Sequence, residues 1–146
     1  MLATAENPFV ESLRRKFADC EVGNGIVICL PPNPNEANIS QLLEAARLAL
    51  KEKGGTRFVL VQNGKGAAAF ARTLHLEAPR VTTCVVNVPQ SHPQAEAWVV
   101  AEALSADGFV EAHYDDEGRR YEPVLRAVPF LISQLICLYR PAMCWL

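Results

Sequence analysis

Gly64-x-Gly66-x-x-Ala69 stands between an apolar run, Phe58 to Gln62, and an alanine-rich helical stretch, all within "RFVLVQNGKGAAAFARTL". Strand, G-x-G-x-x-[GA] and helix in that order is the arrangement that seats a pyrophosphate. The glycines let the backbone approach, and the first-turn N–H groups and helix dipole attract negative charge. Lys65 would add a cation to such a cradle. Asn87, at the end of the next strand-like run, stands where an acidic residue would hold ribose hydroxyls. Gly64, Lys65, Gly66 and Asn87 are therefore the candidates for a nucleotide cofactor. Their context weighs against that use. The loop follows the second strand rather than the first, and Asn87 is a weaker, neutral ribose partner. The first strand ends in "LPPNPNEA", where Pro31 and Pro32 remove two backbone donors. Read on its own, Lys65 is a solvated turn residue, and the loop is a phosphate cradle without its usual surroundings.

Other chemistry has even less to work with. His75, His92 and His113 are too scattered for a metal site, and each reads as structural. Asp115, Asp116 and Glu117 form a turn. No G-x-S-x-G elbow occurs, and Ser12, Ser40, Ser91, Ser105 and Ser133 have no base at a recognisable spacing. A short-chain reductase needs a tyrosine with a lysine four residues on. The tyrosines are Tyr114, Tyr121 and Tyr139, and no lysine follows Lys65, so that pair is absent. No catalytic and no metal-binding residue is expected.

The 146 residues are about one domain, half of them hydrophobic and 21% charged, a globular balance. A net charge of -2 offers nucleic acid no electrostatic footprint, and Arg14-Arg15-Lys16 reads as a solvated helix face. The five cysteines form no C-x-x-C. Cys29 and Cys84 sit in apolar runs as small hydrophobes. The odd count and the lack of a secretory signal point to a reducing, cytoplasmic setting.

The elements that would position these residues alternate. Asn7-Pro8 opens a helix over "FVESLRRKFADC", and "GIVICLPP" is a buried strand. A helix spans Ile39 to Leu50 and stops at Gly54-Gly55. Phe58–Gln62 is a strand, Gly66–Glu77 a helix, Val81–Val88 a third strand and Gln94–Ala106 a helix. "FVEAHY", the turn "DDEG" and "RRYEPVL" make a final hairpin, its last strand at an edge because Pro123 lacks an N–H. The fold class is α/β: a truncated Rossmann-like three-layer sandwich, a mostly parallel sheet with a terminal antiparallel hairpin. Three regions follow: a helical segment (1–22), the Rossmann-like unit (23–128) and an apolar tail (129–146). The tail's "FLISQLICLYRPAMCWL" is too short and too interrupted for a membrane span, which needs about 20 apolar residues.

"GAAAFARTLHLEAPRVTTCVVNVP", followed by "AEAWVVAEALSADGFVEAHYDDEGRRYEPVL", resembles the ketoreductase region of type I polyketide synthases, and within it the N-terminal structural half. The matching blocks are Gly66–Thr73, Glu77-Ala78-Pro79, Val81–Val88, Ala95–Leu104 and Gly118–Leu125, in order, across about Gly25 to Val128. The resemblance implies a Rossmann unit that has lost cofactor binding and packs against a catalytic, short-chain-reductase-like half. That half carries the NADPH loop and the Ser/Tyr/Lys set. On this reading the chain binds no cofactor, NADPH sits on the partner, and no catalytic residue carries over to any position here. The expected partners are that catalytic half or neighbouring synthase domains, with a homodimer through the same apolar surface as a consequence. Nucleic acid and membrane are not expected. Two other readings stay open: a small nucleotide-binding domain using Gly64, Lys65, Gly66 and Asn87, and an unrelated α/β interaction module.

Overall fold

A computed structural model describes residues 8–20, 25–52, 55–64 and 66–124. Helix α1 (Pro8–Asp19) leads into strand β1 (Gly25–Cys29), helix α2 (Glu36–Lys51), strand β2 (Arg57–Gln62) and helix α3 (Ala67–Glu77). Strand β3 (Thr82–Asn87), helix α4 (Ala95–Ser105), strand β4 (Phe109–Tyr114) and strand β5 (Arg120–Tyr121) follow. The strands lie side by side in chain order, β1-β2-β3-β4-β5. All neighbours are parallel except the antiparallel β4–β5 pair. The α/β sandwich and its terminal hairpin are thus present as the residue pattern implies. The apolar tail (129–146), Lys65 and the Asn7 cap lie outside the described residues.

Successive strand residues point to opposite faces, and each face has its own core. Val27, Val59, Val61, Cys84 and Val86 meet α1 and α4 through Phe9, Leu13, Ala95, Val99 and Ala103. Ile28, Phe58, Leu60 and Val85 meet α2 and α3 through Leu42, Ala45, Ala71 and Leu74. α1 therefore shares its core with the sheet. Because the strands advance in one direction throughout, placing α4 opposite α2 and α3 gives the third crossover the opposite hand to the first two. Parallel crossovers are overwhelmingly right-handed, so this is a departure from the usual winding.

α2 begins at Glu36, earlier than the apolar spacing alone implies, because of its cap. Asn38 N–H donates to Asn35 Oδ1 (3.1 Å) and Asn35 N–H donates to Asn38 Oδ1 (2.9 Å), a capping box built from two asparagines. Arginines close the carboxyl ends of two helices, where free carbonyls and the dipole favour a cation. Arg80 donates to Leu50 O (2.8 Å) and Arg57 to Ala103 O. β5 is only two residues long, shorter than "RRYEPVL" implies, since Pro123 has no N–H to extend the ladder.

The β4–β5 hairpin is tied down onto α4. Glu102 is buried there, and its carboxylate takes Arg120 Nε (2.5 Å) and Nη2 (3.1 Å) together with Tyr114 Oη (2.7 Å). These hydrogen bonds, first that from Arg120 and then that from Tyr114, outweigh desolvation and hold the Glu102 carboxyl below its ordinary value of 4.5. His92, Trp98 and Tyr114 stack in series, with ring centroids 4.4 and 4.5 Å apart. Gly118, at φ +79°, brings the hairpin turn against Trp98. A Cβ there would lie 3.0 Å from Cζ2, and the ring is held between two others.

Two outcomes follow from this lock. Gly118→Ala meets both an unfavourable left-handed backbone and the Trp98 ring, so it should lower unfolding free energy by about 1–3 kcal/mol in urea titration. Because the folded-state pKa of Glu102 is depressed, its contribution is complete above the ordinary carboxylate value. It is lost as pH falls through the folded value. Trp98 emission, read in a Trp145→Phe background, should therefore shift on acidification below about pH 4.5, and Glu102→Gln should flatten that step. An identical acid transition in the Gln variant would mean that another group governs it.

Candidate functional site

The chain runs from β2 to α3 on one face of the sheet, and from β3 to α4 on the other. Adjacent connections that leave to opposite faces open a crevice at the carboxyl ends of the strands, the place where open α/β sheets hold ligands. Gly64 and Asn87, two of the four candidates, stand on its two sides. Gly66 is the N-cap of α3, at φ +133°, and makes no side-chain cap bond. The structure thus brings three of the four together at this end of the sheet, and Lys65 lies outside the described residues.

Asn87 bridges the crevice. Its Oδ1 accepts from Gly64 N–H (3.1 Å) and its Nδ2 donates to the Gly64 carbonyl (2.8 Å). The side-chain amide thereby pairs with the Gly64 backbone as a second peptide would, and the Gly64 donor that a phosphate would need is already taken. A second amide crosses nearby, with Gln90 Nε2 donating to Leu30 O (3.0 Å). A space beside the loop, lined by Pro32, Pro34, Gln62, Gly64 and Ala67 among others, is about 20 Å³. That is room for about one water, whereas small-molecule sites run to about 300–1,000 Å³.

The network continues along the sheet. The register sets Asn87 opposite His113, and Nδ2 of Asn87 lies 3.1 Å from His113 Nδ1. Since Gly64 fixes which end of the Asn87 amide is nitrogen, Nδ1 must accept. The imidazole proton is then on Nε2, which donates to Glu111 Oε1 (2.9 Å). Glu111, with its side chain 3% exposed, also takes Arg72 through Nη2 (2.6 Å) and Nε (2.9 Å). A continuous line of hydrogen bonds thus joins the Gly64 loop to α3 through Asn87, His113, Glu111 and Arg72. The residue pattern marks neither Glu111 nor Arg72, and it gives His113 only a structural role. The only available sign was parity, because residues two apart on β4 share a face.

The other reactive groups have structural surroundings. Cys29 and Cys84 are buried, and desolvation pushes both thiols up to about 12, away from the reactive thiolate. His92 stacks on Trp98 and accepts from Gln94 N–H through Nδ1 (3.1 Å). His75 packs against Phe109. No group of three or more His, Cys, Asp or Glu that could hold a metal ion occurs among the described residues. Nor is any helix among them long and apolar enough to cross a membrane. A larger concavity lies at the α3–β4 side, a cleft of about 380 Å³ lined by Arg72, His75, Leu76, Phe109, Pro123 and Val124. It is mostly apolar, and Leu76 and Val124 are 78% and 74% exposed.

Asn87→Ala removes both bonds to Gly64 and should lower the unfolding free energy by about 1–3 kcal/mol. Urea denaturation with unchanged m-value would measure it, and a change within error of zero would show the bridge to be replaceable by water. Comparison of the chain with protein-family models, with curated proteins and with solved structures finds no match in any of the three.

Proposed function

We propose that this chain is a non-catalytic scaffold: the structural half of a polyketide synthase ketoreductase, which supplies a packed surface to a separate NADPH-dependent catalytic half. The resemblance of the Gly66–Leu125 blocks motivates the choice of partner. The observation that carries the scaffold role is the apolar cleft beside β4. Leu76 and Val124 stand exposed on its walls, an arrangement that suits burial against another protein surface. The closed crevice at the other candidate position fits the same reading. There the Asn87 and Gln90 amides occupy the region where a dinucleotide would lie.

In this role NADPH belongs to the catalytic half, and Gly64, Gly66 and Asn87 serve the shape of the chain. A homodimer through the cleft is the expected state when the partner is missing, because the exposed apolar walls would then pair with one another. A cytoplasmic setting is the natural one for such a synthase component.

The test is co-expression with the catalytic half of a type I ketoreductase, followed by titration with NADPH. The wild-type chain should co-purify with that half, and Leu76→Glu should abolish the association while leaving the unfolding midpoint within a few degrees. The isolated chain should show no saturable Trp98 response up to about millimolar NADPH, a bound weaker than about −4 kcal/mol. Failure to associate, or association indifferent to Leu76→Glu, rejects the scaffold role at this surface. Saturable NADPH binding that Gly66→Trp removes without unfolding the chain favours the small nucleotide-binding domain instead.

A further inference from the structure

We propose that His113 and Asn87 form an acid-sensitive latch on the Gly64 loop, closed when the imidazole is neutral and loosened when it is protonated. The inference stands on hydrogen-bond complementarity. With Asn87 paired to both backbone groups of Gly64, its Nδ2 is the atom presented to His113 Nδ1. A neutral imidazole accepts that bond through Nδ1 and still donates Nε2–H to Glu111.

Protonation places a second N–H on Nδ1, directly against the Asn87 NH₂, so that two donors face each other. Turning the Asn87 amide over would give the imidazolium an acceptor. The same turn would set Nδ2 against Gly64 N–H and Oδ1 against Gly64 C=O, breaking both latch bonds. Departure of the ring is the other escape, and Glu111 opposes it. Its buried carboxylate holds Nε2–H at 2.9 Å, and a charge-assisted bond is roughly twice as strong as a neutral one. The imidazolium is therefore anchored, and Asn87 is the group that must yield.

Charged, titratable and polar groups reach the surroundings of the ring from β4, β3, β5 and α3. On its own strand stands Glu111, with its charge partly met by Arg72 from α3. β3 presents the neutral Asn87. β5 presents Tyr121, the register partner of His113, whose hydroxyl donates to Asp115. His75 on α3 faces Phe109. Arg72, the cation that α3 brings to Glu111, is already paired to that carboxylate. The latch thus consists of the ring, Asn87 and the Gly64 backbone, with Glu111 as its anchor. The loop it frees carries the Gly64 N–H that Asn87 otherwise occupies.

Amide NMR of the full chain between about pH 8 and about pH 5 tests this. The Gly64 N–H and the Asn87 side-chain NH₂ should titrate together with the His113 ring. Gly64 hydrogen-exchange protection, corrected for intrinsic rate, should fall about tenfold on acidification, the loss expected for about one to two hydrogen bonds. In His113→Gln the Gly64 response should vanish. In Asn87→Asp, where a carboxylate faces the ring, acid should strengthen the contact between residues 87 and 113 instead of weakening it. The proposal is overturned if His113 titrates while Gly64 and Asn87 stay unchanged, or if the Gly64 response persists in His113→Gln.

Discussion

Strands β2 and β3 are buried on both faces along nearly their whole length, and the rest of the architecture answers to that demand. Phe58, Val59, Leu60 and Val61 are all but inaccessible, as are Cys84, Val85 and Val86. Burying one such side chain is worth about 1.5–3 kcal/mol, so leaving either face open would forfeit a large share of what these strands contribute. Two faces need two layers. α2 and α3 supply one, and α1 with α4 supplies the other. The opposite hand of the third crossover follows from this division, because α4 takes the face that α2 and α3 leave open.

The same division shapes the polar end of the sheet. Once the connections after β2 and β3 leave to opposite faces, the backbone groups at their carboxyl ends would face an open crevice. Unpaired backbone groups out of reach of water are costly. Gln90 supplies a partner for the buried Leu30 carbonyl, and Asn87 takes the place of solvent at the exposed Gly64 backbone. The buried carboxylates obey the same rule. Glu102 is met by Arg120 and Tyr114 on one face, and Glu111 by Arg72 and His113 on the other. Each pair also fastens β4 or its hairpin to a helix, which makes these charges organisers of the sheet edge. No buried side-chain nitrogen or oxygen is without a partner among the described residues.

The candidate site shows how far local spacing can be trusted. Gly64-x-Gly66 does stand between a strand and a helix, and Gly66 does take the positive φ that makes glycine suitable there. Its sequence signature reports backbone shape faithfully. Whether that shape faces an empty cradle depends on Asn87, which lies 23 residues away and reaches the loop only because β2 and β3 pair in register from Arg57–Thr82 to Gln62–Asn87. The Asn87–His113 contact likewise depends on the β3–β4 register. A short motif carries no information about such long-range partners.

The sequence by itself determined the alternation of strands and helices, the apolar runs that must be buried on both faces, and the turn glycines and prolines. These features arise from periodicity, backbone sterics and missing N–H groups, which act between near neighbours in the chain. The elements therefore appear where the residue pattern puts them, apart from ends such as α2, where the Asn35–Asn38 capping box extends the helix. Only the tertiary structure decided which face each helix covers and that Asn87 closes the glycine loop. It also set His113 between Asn87 and Glu111, and left Leu76 and Val124 beside an open cleft. Each of these depends on strand register or on the hand of a crossover, and both are settled by the free energy of burying the whole core at once.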